Sequence, residues 1–195
     1  MGIDSVDRLP VVEGTFAGIV AWVFGYAFTY VIVAPDVRDS PLHRIIEAFE
    51  GEPATYEMVG WVFYNAHFVT TVFRDLPIIG SHTTTFLGGE EGFSLLLYAI
   101  PIGLLLAAGL GLARYRGAPD ATQGALAGVA VLPGYLLLSI AGVFVFEVTI
   151  AGARGGPDLL PAIFLAGIVY PLLFGGAGGV LGGLFESRER KETVE

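Results

Sequence analysis

Charged positions in this chain fall into gaps, and between the gaps lie four stretches with no Asp, Glu, Lys or Arg: residues 14–34, 92–113, 121–146 and 159–185. A helix needs about 20 predominantly apolar residues to cross a hydrocarbon core of roughly 30 Å. A soluble helix keeps one face polar for water, so it has no use for uncharged runs of this length. The pattern predicts an all-α fold, a polytopic transmembrane helical bundle that forms a single membrane domain over residues 1–195.

A fifth, shorter apolar segment is the ambiguous one. Residues 58–73 lie between Glu57 and Arg74 and also carry Tyr64, Asn65, His67, Thr70 and Thr71. As a helix they rise only about 24 Å. Gly60, Tyr64, His67 and Thr71 recur at helical spacing, so a helix would gather them into one polar stripe facing the bundle interior. Basic residues concentrate on the cytoplasmic side of membrane proteins. Arg188, Arg190 and Lys191 therefore predict a cytoplasmic C-terminus. A spanning 58–73 gives seven basic residues inside against three outside, and a non-spanning one gives six against four. The expected architecture is five spans, near residues 11–34, 57–73, 92–113, 121–147 and 158–185. The alternative is four spans plus a re-entrant or interfacial helix.

Residues 41–50 read as a short amphipathic helix on the membrane surface. Ser40 is the expected N-cap, Pro41 suits the first helical position, and Gly51 suits the C-terminus. Leu42, Ile45, Ile46 and Phe49 form the apolar face, with His43, Arg44, Glu47 and Glu50 opposite. Packing on a neighbouring helix end is the alternative. Proline disfavours helix at the residue before it, which stops the first span at Ala34. Residues 74–91 read as an irregular outer loop broken by Pro77, Gly80 and Gly88-Gly89.

Small residues dominate the last two spans. Gly124 and Gly128 form a GxxxG, Pro133-Gly134 should bend that helix, and Gly175, Gly179 and Gly183 recur at spacing four. Such spacing lets backbones approach closely, either within one chain or between copies or partner membrane proteins.

Composition narrows the partners. The chain has 19 acidic residues against 10 basic ones, a net charge of −9 and no cysteine. That balance excludes nucleic acid, which is bound through Lys and Arg, and leaves the lipid bilayer as the principal partner. Lys191 is the only lysine. An acidic, lysine-poor exterior suits high salt, where the Debye length shrinks to about 3 Å. No cleavable signal is expected, because Asp4, Asp7 and Arg8 stand where a basic n-region would be.

Candidate chemistry is sparse. His43, His67 and His82 show no metal-ligand spacing, so neither metal nor cofactor is expected. Ser139 lacks a nucleophile-elbow frame. The candidate intramembrane polar site is Tyr64, Asn65, His67 and Glu147. An ionisable group within a membrane often marks a proton or substrate path. Equally, His67 can stay neutral and bond to a neighbouring helix, with Tyr64 or Asn65 adding bonds, while Glu147 marks the interface. Trp22, Trp61, Tyr115, Tyr135 and Tyr170 read as belt or packing residues.

Two stretches carry a family resemblance. The opening Pro10-Val-Val-Glu-Gly-Thr-Phe-Ala-Gly followed by Gly25-Tyr26-Ala27-Phe28-Thr29-Tyr30 is one. The other, more specific, is Val59-Gly60-Trp61-Val62-Phe63-Tyr64-Asn65-Ala66-His67-Phe68-Val69. They resemble an uncharacterised family of haloarchaeal multi-pass membrane proteins. The resemblance implies an archaeal plasma-membrane location and carries no catalytic residue with it. The resulting expectation is a non-enzymatic scaffold or component of a membrane complex. The alternative is a small-solute or ion permease built around His67.

Overall fold

The structure, a computed structural model, describes residues 10–76, 80–89, 92–150 and 152–192. Arg8, Pro77 and Glu91 lie outside the described residues. The elements are α1 (Val11–Asp39), α2 (Pro41–Glu50), α3 (Thr55–Asn65), β1 (Thr71–Leu76), β2 (Gly80–Thr84), a 3₁₀ turn at Leu95–Tyr98 leading into α4 (Ala99–Tyr115), α5 (Ala121–Val129), α6 (Leu132–Val145), β3 (Val148–Ile150), β4 (Ala153–Pro157), α7 (Leu159–Pro161) and α8 (Gly176–Glu192). Between α7 and α8 the helix continues in π-helical geometry on either side of Tyr170.

Among the described residues, four helices are long and apolar enough to cross a membrane: Val11–Asp39, Leu95–Tyr115, Ala121–Val145 and Leu159–Ser187. Their flanks carry bare Val31, Leu96, Leu137 and Phe164. Side chains of that size, exposed along long apolar helices, suit lipid as the surrounding medium.

The fifth expected span is absent. The segment 58–73 is helical only as far as Asn65, and Thr71 has already entered a strand. At 11 residues, α3 is about 16 Å long, half a hydrocarbon core. The Gly60–Thr71 stripe is correspondingly cut short. The fold is also not all-α. A four-stranded antiparallel sheet, ordered β2-β1-β4-β3, takes up residues 74–76 and 80–84 of what was expected as irregular loop. Thr71 faces Thr84 on one side and Pro157 on the other, so β1 pairs with a strand far along the chain.

Two further expectations are corrected. The first span does not stop at Ala34; α1 runs through Pro35 to Asp39. Proline costs the helix one hydrogen bond, a loss that membrane helices tolerate when neighbours hold the segment. Here Val33, Ala34 and Val37 are all buried. In α2 the caps are as expected, with Ser40 accepting from the His43 amide and Gly51 in the left-handed conformation. Its faces differ, however. His43 is buried and its Nε2 lies 2.9 Å from Thr55 Oγ1, while Ile45 and Phe49 are exposed.

The chain divides into two compact units. The first comprises Met1–Val23, Pro101–Leu138 and Gly167–Glu195, and glycine builds it. A side chain on Gly124 would strike the Gly179 carbonyl, one on Gly128 the Gly175 carbonyl, and one on Gly178 the Leu106 carbonyl. Gly14 and Gly18 abut Ala130 and Val131 in the same way. Backbones that close gain dispersion contacts where lipid offers no hydrophobic drive. Pro133 cannot donate to Val129 and its ring crowds that carbonyl, so the third long helix breaks between α5 and α6.

The second unit comprises Phe24–Ile100 and Ser139–Ala166. Its centre is α3, in which Met58 through Asn65 are all buried. Gly60 lies so close to the Phe146 ring that any side chain there would collide with it.

Candidate functional site

Three of the four candidate polar residues sit together at the end of α3. Tyr64 lies inside the helix and its hydroxyl donates to the Ser139 carbonyl at 2.5 Å. Burial pushes that phenol's ionisation well above its ordinary value, so it acts only as a neutral donor. Asn65 closes the helix. Its amide nitrogen donates to the Val69 carbonyl at 2.7 Å and, more weakly, to Thr71 Oγ1 at 3.4 Å, while its carbonyl oxygen accepts from the Phe86 amide at 2.8 Å. One side chain thus joins the end of α3, the start of β1 and the segment after β2.

His67 follows one turn of chain later and is completely buried. Its Nδ1 stands 2.8 Å from the Phe63 carbonyl. A carbonyl can only accept, so Nδ1 carries the proton of the neutral ring. Burial lowers the imidazole pKa to about 4, against the smaller opposing effect of the Phe63 bond. Phe63 also meets the His67 ring edge-on at 4.8 Å. The next residue, Phe68, takes a left-handed conformation with φ of 60° and stacks on Tyr98 at 4.6 Å. That turn sends the chain from helix into strand.

Glu147 does not join this group. It is exposed and makes no hydrogen bond or ion pair among the described residues. Its neighbour Phe146 is the one engaged, its carbonyl accepting from Trp61 Nε1 at 2.7 Å. Trp61 itself is wholly buried, edge-on to Phe73 and stacked on Phe86. The partners Ser139, Phe146 and Phe86 were not foreseen, because nothing local in the sequence pairs them with α3. The three histidines are dispersed, with His43 held by Thr55 and His82 on exposed β2.

Chemically, then, the buried polar groups at the end of α3 hold backbone to backbone. Each candidate donor meets a main-chain carbonyl, and the helix end is stitched to the sheet. Four helices long and apolar enough to cross a bilayer, with this internally bonded insert, are the character of a helical membrane protein. The chain belongs to DUF7978, a family of unknown function, whose profile matches residues 2–186. Comparison with curated proteins and with solved structures returned no match.

Proposed function

We propose that this protein is a four-span, non-enzymatic scaffold or complex component of the archaeal cell membrane. One observation carries the reading: the polar side chains able to line a path, Tyr64, Asn65 and His67, are each tied to main-chain partners. A permease built around His67 would need those groups facing a shared wet passage. The acidic, lysine-poor composition supports a high-salt cell.

With four crossings, the segments before Val11 and after Ser187 share one side of the membrane. The positive-inside count favours the cytoplasm for both, because six basic residues then lie inside against four outside. The ion pair between Glu13 and Arg116, at 3.9 Å, agrees with a shared side for the start of α1 and the α4–α5 turn.

The scaffold reading is tested by crosslinking in native membranes and by flux in proteoliposomes. One stoichiometric partner and no flux are expected. Solute or proton flux abolished by His67→Ala would overturn it. The chain lacks cysteine, so single cysteines at Gly117 and Thr83 should label from opposite sides of the membrane.

A further inference from the structure

A second feature of the α2–α3 unit lies away from the His67 group. A cavity of about 870 Å³ opens between the end of α1, the start of α2, α3 and residues 85–88 and 92–97. Small-molecule sites fall in the range of about 300–1,000 Å³, so the space suits one organic molecule and not a partner helix. Its walls are mainly apolar, with Val33, Val37, Val62 and Leu97 buried or nearly so.

The walls change character along α1. Ile32, on the exposed apolar flank of a membrane-length helix, lines one part, and Asp36 and Asp39 line another. Seven residues separate Ile32 from Asp39, about 10 Å of helix. The cavity therefore passes from hydrocarbon-like to acidic over the length of a lipid's upper chain and headgroup. Asp36 and Asp39, three apart, fall on one helix face.

Arg38 turns away to the Tyr30 hydroxyl at 3.1 Å, and Arg44 donates to the main-chain carbonyl of Asp39 at 2.7 Å. No ion pair involves either Asp side chain among the described residues. The hydroxyls at the rim are also occupied, Ser40 by the His43 amide and Ser94 by the Leu96 amide. What remains for a ligand is an apolar wall with two carboxylates at one end that form no ion pair among the described residues.

We propose that this cavity binds a single-chain amphiphile with a cationic headgroup, its tail against Val37, Val62 and Leu97 and its charge beside Asp36 and Asp39. An anionic headgroup would meet like charges, and a bare metal ion would find no cage of oxygens.

The test uses the full chain in neutral maltoside micelles. A dodecyl-trimethylammonium probe with a diazirine in its tail is compared with a dodecyl sulfate analogue carrying the same tail. The cationic probe should label peptides from residues 32–42 and 85–97 saturably, about tenfold more than the anionic one. The double variant Asp36→Asn, Asp39→Asn alters only exposed side chains and should erase that preference. Val62→Trp, which fills the cavity, should suppress labelling by both. Equal labelling by the two probes, a preference that survives the double variant, or label spread evenly over the apolar flanks would each overturn the proposal. Stronger protection by excess maltoside than by excess alkylammonium would also overturn it, pointing instead to a polyol headgroup.

Discussion

The Tyr64 hydroxyl reaches the main-chain carbonyl of Ser139, 75 residues away, while the Ser139 hydroxyl has no hydrogen-bond partner among the described residues. The two polar groups of one buried contact thus have opposite energetic roles. Tyr64→Phe should lower stability by about 1 kcal/mol, the net worth of a buried hydrogen bond. Ser139→Ala removes a buried hydroxyl that has no partner among the described residues, so it should be neutral or slightly stabilising. Thermal midpoints in micelles check both, and a Ser139→Ala loss as large as that of Tyr64→Phe would contradict the assignment.

Asn65 should be far less replaceable. Asn65→Ala leaves the Phe86 amide and the Val69 carbonyl without their partner in a buried site. With each orphan costing about 1–3 kcal/mol, a total loss of about 2–4 kcal/mol is expected. Amide hydrogen exchange at Phe86 gives an independent readout and should accelerate at least tenfold.

Stability should fall on acidification because of His67. Its folded pKa of about 4 lies below the ordinary value of 6.5. Above pH 6.5 both folded and unfolded chains hold a neutral ring, and the full stability is present. As pH falls from 6.5 towards 4, the unfolded state binds the proton first, and about 3 kcal/mol is lost across that window. His67→Asn should lower stability at neutral pH but flatten this part of the pH profile. Parallel melting-temperature profiles for the two proteins would count against a buried neutral imidazole.

Glycines along α4 should respond oppositely to the same change. Gly109 lies against the Gly175 carbonyl, whereas nothing lies within 4 Å of a side chain at Gly111. Gly109→Ala should destabilise by about 1–3 kcal/mol through overpacking, and Gly111→Ala should stabilise by about 0.5–1 kcal/mol through helix propensity. Gly179→Leu should unfold the bundle or weaken it strongly, because its contacts are Gly124 and Gly128 of the same chain. A change in oligomer size with unaltered stability would instead identify a seam between copies.

Local features were the readable ones. Ser40, Pro41 and Gly51 bound α2 through contacts within four residues, so the sequence window contains their whole cause. The glycine spacing likewise predicts close approach of backbones, and Gly124 and Gly128 lie against Gly179 and Gly175 within this chain. The polar residues of 58–73 share helical spacing, which predicts one stripe on a helix whose backbone bonds close internally. Asn65 instead diverts the chain by bonding to Val69 and Phe86, and a segment that supplies its own terminator through a distant amide carries no local sign of it. The β1–β4 pairing was invisible for the same reason, since neither strand shows the sheet without the other. His43 moved to the buried face because Thr55 waits for it there.

Length and apolarity alone settled that four helices can cross a bilayer, since hydrocarbon thickness is a constraint each segment meets by itself. The end of α3, the tying-off of Tyr64, Asn65 and His67, and the cavity beside Asp36 and Asp39 belong to the tertiary structure. Tyr64 and Asn65 meet the distant backbone of Ser139 and Phe86, and the cavity needs walls from α1, α2, α3 and residues 85–88 and 92–97 brought side by side, which only the folded chain does.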